Sequence, residues 1–150
     1  MSRLENPPVL LVDDSEETCT LIRAVLRHDF SVEICSTGLE AIENLRTRRY
    51  AAILLDLKMP DGNGFDVLDY LRDHAQELLP RVIIVTAVLG TAPLERARAY
   101  GICGIVGKPF DVEELLETVT RCADSGPEPL HGLILPPALL MLLADLLHRH

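Results

Sequence analysis

The chain has 150 residues, enough for one domain with a real core. Hydrophobic residues make up 48% and charged residues 25%, an ordinary balance for a soluble protein. The net charge of -9 argues against nucleic acid or an anionic membrane as the main partner.

The opening Met1-Ser2-Arg3-Leu4-Glu5-Asn6-Pro7-Pro8 is short and polar, unlike a signal peptide. Val9-Leu10-Leu11-Val12 is an apolar run that ends at Asp13-Asp14. Ser15 can cap a helix, and Thr18, Leu21, Ile22, Val25 and Leu26 follow at helical spacing. Phe30 to Ile34 alternates like a strand, and Thr37-Gly38 turns into a helix from about Leu39 to Arg46. Ala51-Ala52-Ile53-Leu54-Leu55 reads as a strand buried on both faces, with Asp56 at its carboxyl end. Pro60, Gly62 and Gly64 then force a loop. A helix with Phe65, Leu68 and Leu71 on one side runs to about His74, and Leu79-Pro80 ends the connection.

Val82-Ile83-Ile84-Val85 is another buried run, closed by Thr86. Ala92 to Tyr100 reads as a weak helix whose inward face is mostly Leu94, Ala97 and Tyr100. Ile102 to Val106 is a further strand, followed by Gly107-Lys108-Pro109-Phe110. Asp111 caps a last helix with the stripe Val112, Leu115, Leu116 and Val119. This β-α alternation calls for a parallel sheet with helices on both faces. Ser125-Gly126-Pro127-Glu128-Pro129 looks like a linker. Beyond it, Leu139, Leu140, Leu142, Leu143, Leu146 and Leu147 share one face of a helix. The stretch from Leu133 to Leu147 is too short to span a bilayer. Cys19, Cys35, Cys103 and Cys122 contain no C-x-x-C pair, so neither a zinc site nor a disulfide framework follows. They are expected as small buried residues in a reducing cytosol.

Four strand ends carry Asp13-Asp14, Asp56, Thr86 and Lys108. Taken singly, these read as turn aspartates and helix caps, a strand threonine and a surface lysine. In a parallel sheet, however, the carboxyl ends share one edge, where such folds do their chemistry. Clustered carboxylates need a cation, and an all-oxygen set suits Mg²⁺. A carboxylate beside Mg²⁺ can accept a phosphoryl group, with lysine and threonine as donors to its oxygens.

Val12-Asp13-Asp14, Leu54-Leu55-Asp56-Leu57-Lys58-Met59-Pro60-Asp61-Gly62, Val85-Thr86-Ala87 and Gly107-Lys108-Pro109-Phe110 resemble the receiver domain of two-component response regulators. The resemblance implies a flavodoxin-like fold: a doubly wound α/β domain with a five-stranded parallel sheet in the order 2-1-3-4-5. It implies Asp56 as phosphoryl acceptor from a histidine kinase or phosphotransfer protein, with Thr86 and Lys108 contacting the phosphoryl group. It also implies Mg²⁺ held by Asp13, Asp14, Asp56 and the Lys58 backbone carbonyl, and a cis bond before Pro109. One departure stands out: family members usually carry an aromatic residue three positions before the lysine, and here that residue is Ile105.

The expected organisation is a receiver domain at 7–124, a linker at 125–136 and an apolar leucine-rich helical tail at 137–150. The expected function is a cytoplasmic signalling switch with no enzymatic activity beyond self-phosphorylation from small phosphodonors and self-dephosphorylation. Burial of the leucine face predicts a homodimer with a contact through 137–147. A receiver-fold scaffold that works without phosphorylation would be marked by loss of an acid or the lysine, and none is lost. A haloacid-dehalogenase-like phosphatase needs a second acid two residues after the nucleophile, where this chain has Lys58.

Overall fold

The computed structural model describes residues 7–59, 64–87 and 90–125, together with Leu142, Asp145 and Leu146. Five strands, β1 (Val9–Val12), β2 (Val32–Cys35), β3 (Ala52–Leu55), β4 (Val82–Thr86) and β5 (Gly104–Gly107), form one sheet. All neighbours are parallel, in the order β2-β1-β3-β4-β5. Five helices connect or follow them: α1 (Glu16–Leu26), α2 (Gly38–Thr47), α3 (Gly64–His74), α4 (Thr91–Arg98) and α5 (Val112–Ser125). A 3-10 turn at Gln76–Arg81 leads into β4. The doubly wound fold and its strand order are those expected.

The side-chain period of two divides each central strand between two cores. Val9, Leu11, Ala52, Leu54, Ile83 and Val85 face α1 and α5, where Ile22, Leu26, Leu115 and Val119 pack. Leu10, Val12, Ile53, Leu55, Val82 and Ile84 face α2, α3 and α4, where Ala41, Leu45, Leu68 and Leu71 pack. The three central strands are therefore buried on both faces, and β1, β3 and the Val82–Val85 part of β4 read as unbroken apolar runs. The helix starts follow the capping residues. Ser15 Oγ accepts from Thr18 N–H, Thr37 Oγ1 from Glu40 N–H, and Asp111 Oδ1 from Glu113 and Glu114 N–H.

Helix α4 is thinly packed. Ala97 is its buried residue, and Leu94 lies half-buried against the same core as Tyr100 and Ile105. What ties it down is a clasp to α3. The Tyr100 hydroxyl donates to Asp69 Oδ1, and the Arg96 guanidinium sits 3.9 Å from the centre of the Phe65 ring.

Two features depart from the sequence expectations. First, Cys103 and Cys122 are joined by a disulfide, while Cys19 and Cys35 are free and buried. Folding brings the start of β5 against α5 and so pairs two cysteines that no spacing pattern links. Second, the expected strand at Ile102–Val106 is shifted to Gly104–Gly107, because Gly101 at φ 86° and the residues after it form the turn out of α4. Leu142, Asp145 and Leu146 are helical. The rest of the expected leucine tail and all of 126–136 lie outside the described residues. Among the described residues, no helix is long and apolar enough to cross a membrane.

The buried acids give the fold a pH signature. Burial pushes the Cys35 thiol from 9.0 up to about 12, with Glu40 and Glu33 adding to the effect. Burial and a hydrogen bond to Glu33 likewise raise the Tyr50 phenol, and burial and Asp69 raise that of Tyr100. The unfolded chain loses these protons at lower pH than the folded chain does. Stability is therefore fully present below pH 9.0 and is lost as pH rises toward 12. The thermal midpoint is expected to be flat on the neutral side and to fall through that window. Each retained proton adds about 1.4 kcal/mol per pH unit to the slope. Cys35→Ala should flatten the fall, and an equally steep fall in that variant would exclude Cys35 as a contributor.

Candidate functional site

The ladder of the sheet continues one residue past the ends of three strands. Asp13 N–H donates to Cys35 O at 3.0 Å, Asp56 N–H to Val12 O at 3.0 Å, and Lys108 N–H to Thr86 O at 2.9 Å. Asp13, Asp56 and Lys108 are thus held in sheet register while their side chains emerge at its carboxyl edge. Thr86 is the last residue of β4. Asp13 and Asp56 are almost fully buried, Thr86 is buried, and Asp14 is exposed.

These side chains converge. Carboxylate oxygens of Asp13, Asp14 and Asp56 lie within 4.8 Å of one another. Lys108 Nζ donates to Asp13 Oδ2 at 2.6 Å and to Asp56 Oδ2 at 3.0 Å. The other Asp56 oxygen, Oδ1, accepts from Thr86 Oγ1 at 2.9 Å and from Lys58 N–H at 3.0 Å. Asp13 Oδ1 accepts from Ser15 N–H at 2.9 Å, which couples the cluster to the cap of α1. Burial pulls the Lys108 ammonium down, but hydrogen bonds and charge from Asp13 and Asp56 outweigh it and leave Lys108 raised. Lys108 therefore stays protonated throughout the physiological range.

The donor set fits a divalent cation. Three carboxylates face one ammonium, so two negative charges are left over in a mostly buried site. All the ligand atoms are oxygens, the preference of a hard ion such as Mg²⁺. A cleft of about 410 Å³ opens beside Asp13 and Asp14 and is also lined by Glu16, Thr20, Arg23 and Ser36.

The structure brings together Asp13, Asp14, Asp56, Thr86 and Lys108, each at the strand end expected. Lys58 joins through its backbone N–H, a contact the sequence reading did not include, while its side chain is exposed. The Lys108–Pro109 bond is cis. Gly64 closes the loop and opens α3, and a Cβ there would lie 2.5 Å from the Asp56 carbonyl oxygen and 2.9 Å from Leu57 Cα. Both neighbours are backbone, so the bare glycine lets α3 start directly against the segment that carries Asp56. Its signal in the sequence was the third glycine or proline in a loop that two could have turned. Ile105 is half-buried in the core that holds Leu94 and Tyr100.

The sequence profile of the response regulator receiver domain matches residues 9–120. The chain is 32% identical over 121 residues to the response regulator ArlR of Staphylococcus saprophyticus, covering 80% of this chain and 54% of that protein. The chain spans about half the length of the curated relatives it matches first. Among solved structures, the non-phosphorylated HemR receiver domain of Leptospira biflexa superposes with a TM-score of 0.72 at 29% identity, covering 87% of this chain and 98% of that one. The receiver domain of the sensor histidine kinase PA1611 from Pseudomonas aeruginosa superposes with a TM-score of 0.69 at 27% identity, covering 78% and 97%. That structure has a magnesium ion coordinated in its active-site cleft.

Proposed function

The chain belongs to the response regulator receiver domains of two-component systems, and on that premise we propose that it is a phosphorylation-controlled switch with Asp56 as the phosphoryl acceptor. The observation that carries this reading is the convergence of three carboxylates, one ammonium and one hydroxyl at a single sheet edge. The donor is a sensor histidine kinase or a phosphotransfer protein, and the setting is the cytoplasm.

In the reaction, an Asp56 carboxylate oxygen attacks the phosphorus. The bond to the donor breaks and its electron pair leaves with the donor, forming an acyl phosphate. Hydrogen bonds to Oδ1 from Thr86 and Lys58 N–H set the plane of the attacking carboxylate. Lys108 and the Thr86 hydroxyl then turn from the carboxylate to the phosphoryl oxygens. Asp13, Asp14, Asp56 and the Lys58 carbonyl would hold Mg²⁺. When bound, that ion supplies neutralising charge for the incoming phosphoryl oxygens.

Incubation with acetyl phosphate and Mg²⁺ should add one phosphoryl group per chain by intact mass, and a chelator should suppress it. No uptake from either acetyl phosphate or a phosphoramidate would refute the reading. Slow release of the group by the domain itself completes the cycle.

The proposed division is a receiver domain at 7–124, a linker at 125–136 and a tail at 137–150. Leu142 and Leu146 are 62% and 48% exposed, in keeping with a helix that buries its leucine face against a second copy. Deleting 136–150 should convert the homodimer to a monomer by solution mass, and an unchanged mass rules the tail out of the contact.

A further inference from the structure

We propose that Cys103 and Cys122 form a reversible thiol–disulfide switch that locks the segment carrying Lys108 to the last turns of α5. Their Cα atoms are 6.1 Å apart, a separation that a disulfide spans without backbone movement. Cys103 precedes β5 by one residue, and its N–H donates to Val82 O at 2.8 Å, so the first sulfur is anchored to the sheet. Cys122 lies three residues before the end of α5 and is fully buried. The two cysteines are 19 positions apart in sequence, and the loop they close contains β5, Lys108 and most of α5.

The two sulfurs are unequal. Cys103 is partly exposed and Cys122 is not, so an external thiol reaches Cys103 first. The remaining cysteines do not compete. Cys19 and Cys35 are buried, and burial raises both thiols.

The co-reactant is a small disulfide of the glutathione class. The Cys103 thiolate attacks it, forming a mixed disulfide and releasing one glutathione thiolate. The Cys122 thiolate then attacks the Cys103 sulfur and releases the second. The two protein thiols lose two electrons and two protons, and the small disulfide becomes two thiols. Excess small thiol runs the same steps backward.

The test uses the full chain in glutathione buffers of varied redox ratio, with thiols counted by alkylation and mass. The oxidised form should offer two alkylatable cysteines after unfolding, and the reduced form all four. Reduction should lower the thermal midpoint by on the order of 10 °C and speed amide exchange in 104–107 and 118–125 about tenfold. Returning to oxidising buffer should restore both values, and Cys103→Ser should abolish the response. Two outcomes overturn the proposal: four free thiols at every ratio, or a bond that small thiols reduce only after the chain is unfolded.

Discussion

Asp56→Asn is expected to take up no phosphoryl group from acetyl phosphate with Mg²⁺, under conditions where the wild-type chain takes up one. The substitution is close to isosteric. The amide oxygen can still accept from Thr86 Oγ1 and Lys58 N–H, the two donors now bound to Oδ1. What is lost is the second oxygen, which faces Lys108 Nζ at 3.0 Å. An amide nitrogen there is a poor nucleophile and also turns a donor toward an ammonium. Against that clash stands the removal of one charge from a crowded trio of carboxylates. The two effects oppose each other, so the unfolding free energy should change by no more than about 1 kcal/mol. Loss of uptake with an intact fold is therefore the diagnostic pair. Labelling that persists in this variant would move the acceptor elsewhere, with Asp14, the exposed member of the cluster, as the first place to look.

Lys108→Met should cut the rate of uptake by about a hundredfold, the usual cost of removing one positioned donor to developing negative charge. It should also change how the domain responds to divalent cations. Lys108 joins Asp13 and Asp56, two carboxylates that are nearly out of water, and is itself 17% exposed. Without it, the three acids face one another with no internal counter-charge. Breaking such a pair destabilises the fold by about 2–3 kcal/mol at neutral pH, less than for a fully buried pair because solvent reaches the lysine. Millimolar Mg²⁺ should then raise the melting temperature of Lys108→Met more than that of the wild type, since the cation takes over the missing neutralisation. A variant with wild-type stability and no added Mg²⁺ response would show that Lys108 does not balance the cluster.

The parts of this protein that could be read from its sequence are those with a local cause. Val9–Val12, Ala52–Leu55 and the Val82–Val85 part of β4 announce themselves as strands because both of their faces are buried and every position is apolar. Ser15, Thr37 and Asp111 announce helix starts because the cap contact spans only two or three residues. The site was legible for the same reason. Each of its acids, its threonine and its lysine directly follows or ends a recognisable run, and the sheet does the gathering. What stayed hidden depends on contacts between distant segments. Tyr100 and Asp69 meet across two helices, and Cys103 meets Cys122 only after α5 folds back along β5. The tight approach of Gly64 to Asp56 is likewise a matter of where a helix lands on a strand, which no propensity encodes.

The thin packing of α4 makes the stability of this domain uneven. Cores on either side of β1, β3 and β4 must come apart together, so their amide hydrogens exchange only on global unfolding. Helix α4 can leave the sheet by giving up Ala97, part of Leu94 and the clasp of Tyr100 and Arg96 to α3. Its opening is expected to be a sub-global event of smaller free energy, so amide hydrogens of 91–98 should exchange faster than those of β1, β3 and β4. For a partner that binds only such a detached form, apparent affinity is scaled by the opening equilibrium, so Tyr100→Phe, which removes the bond to Asp69, should raise that affinity.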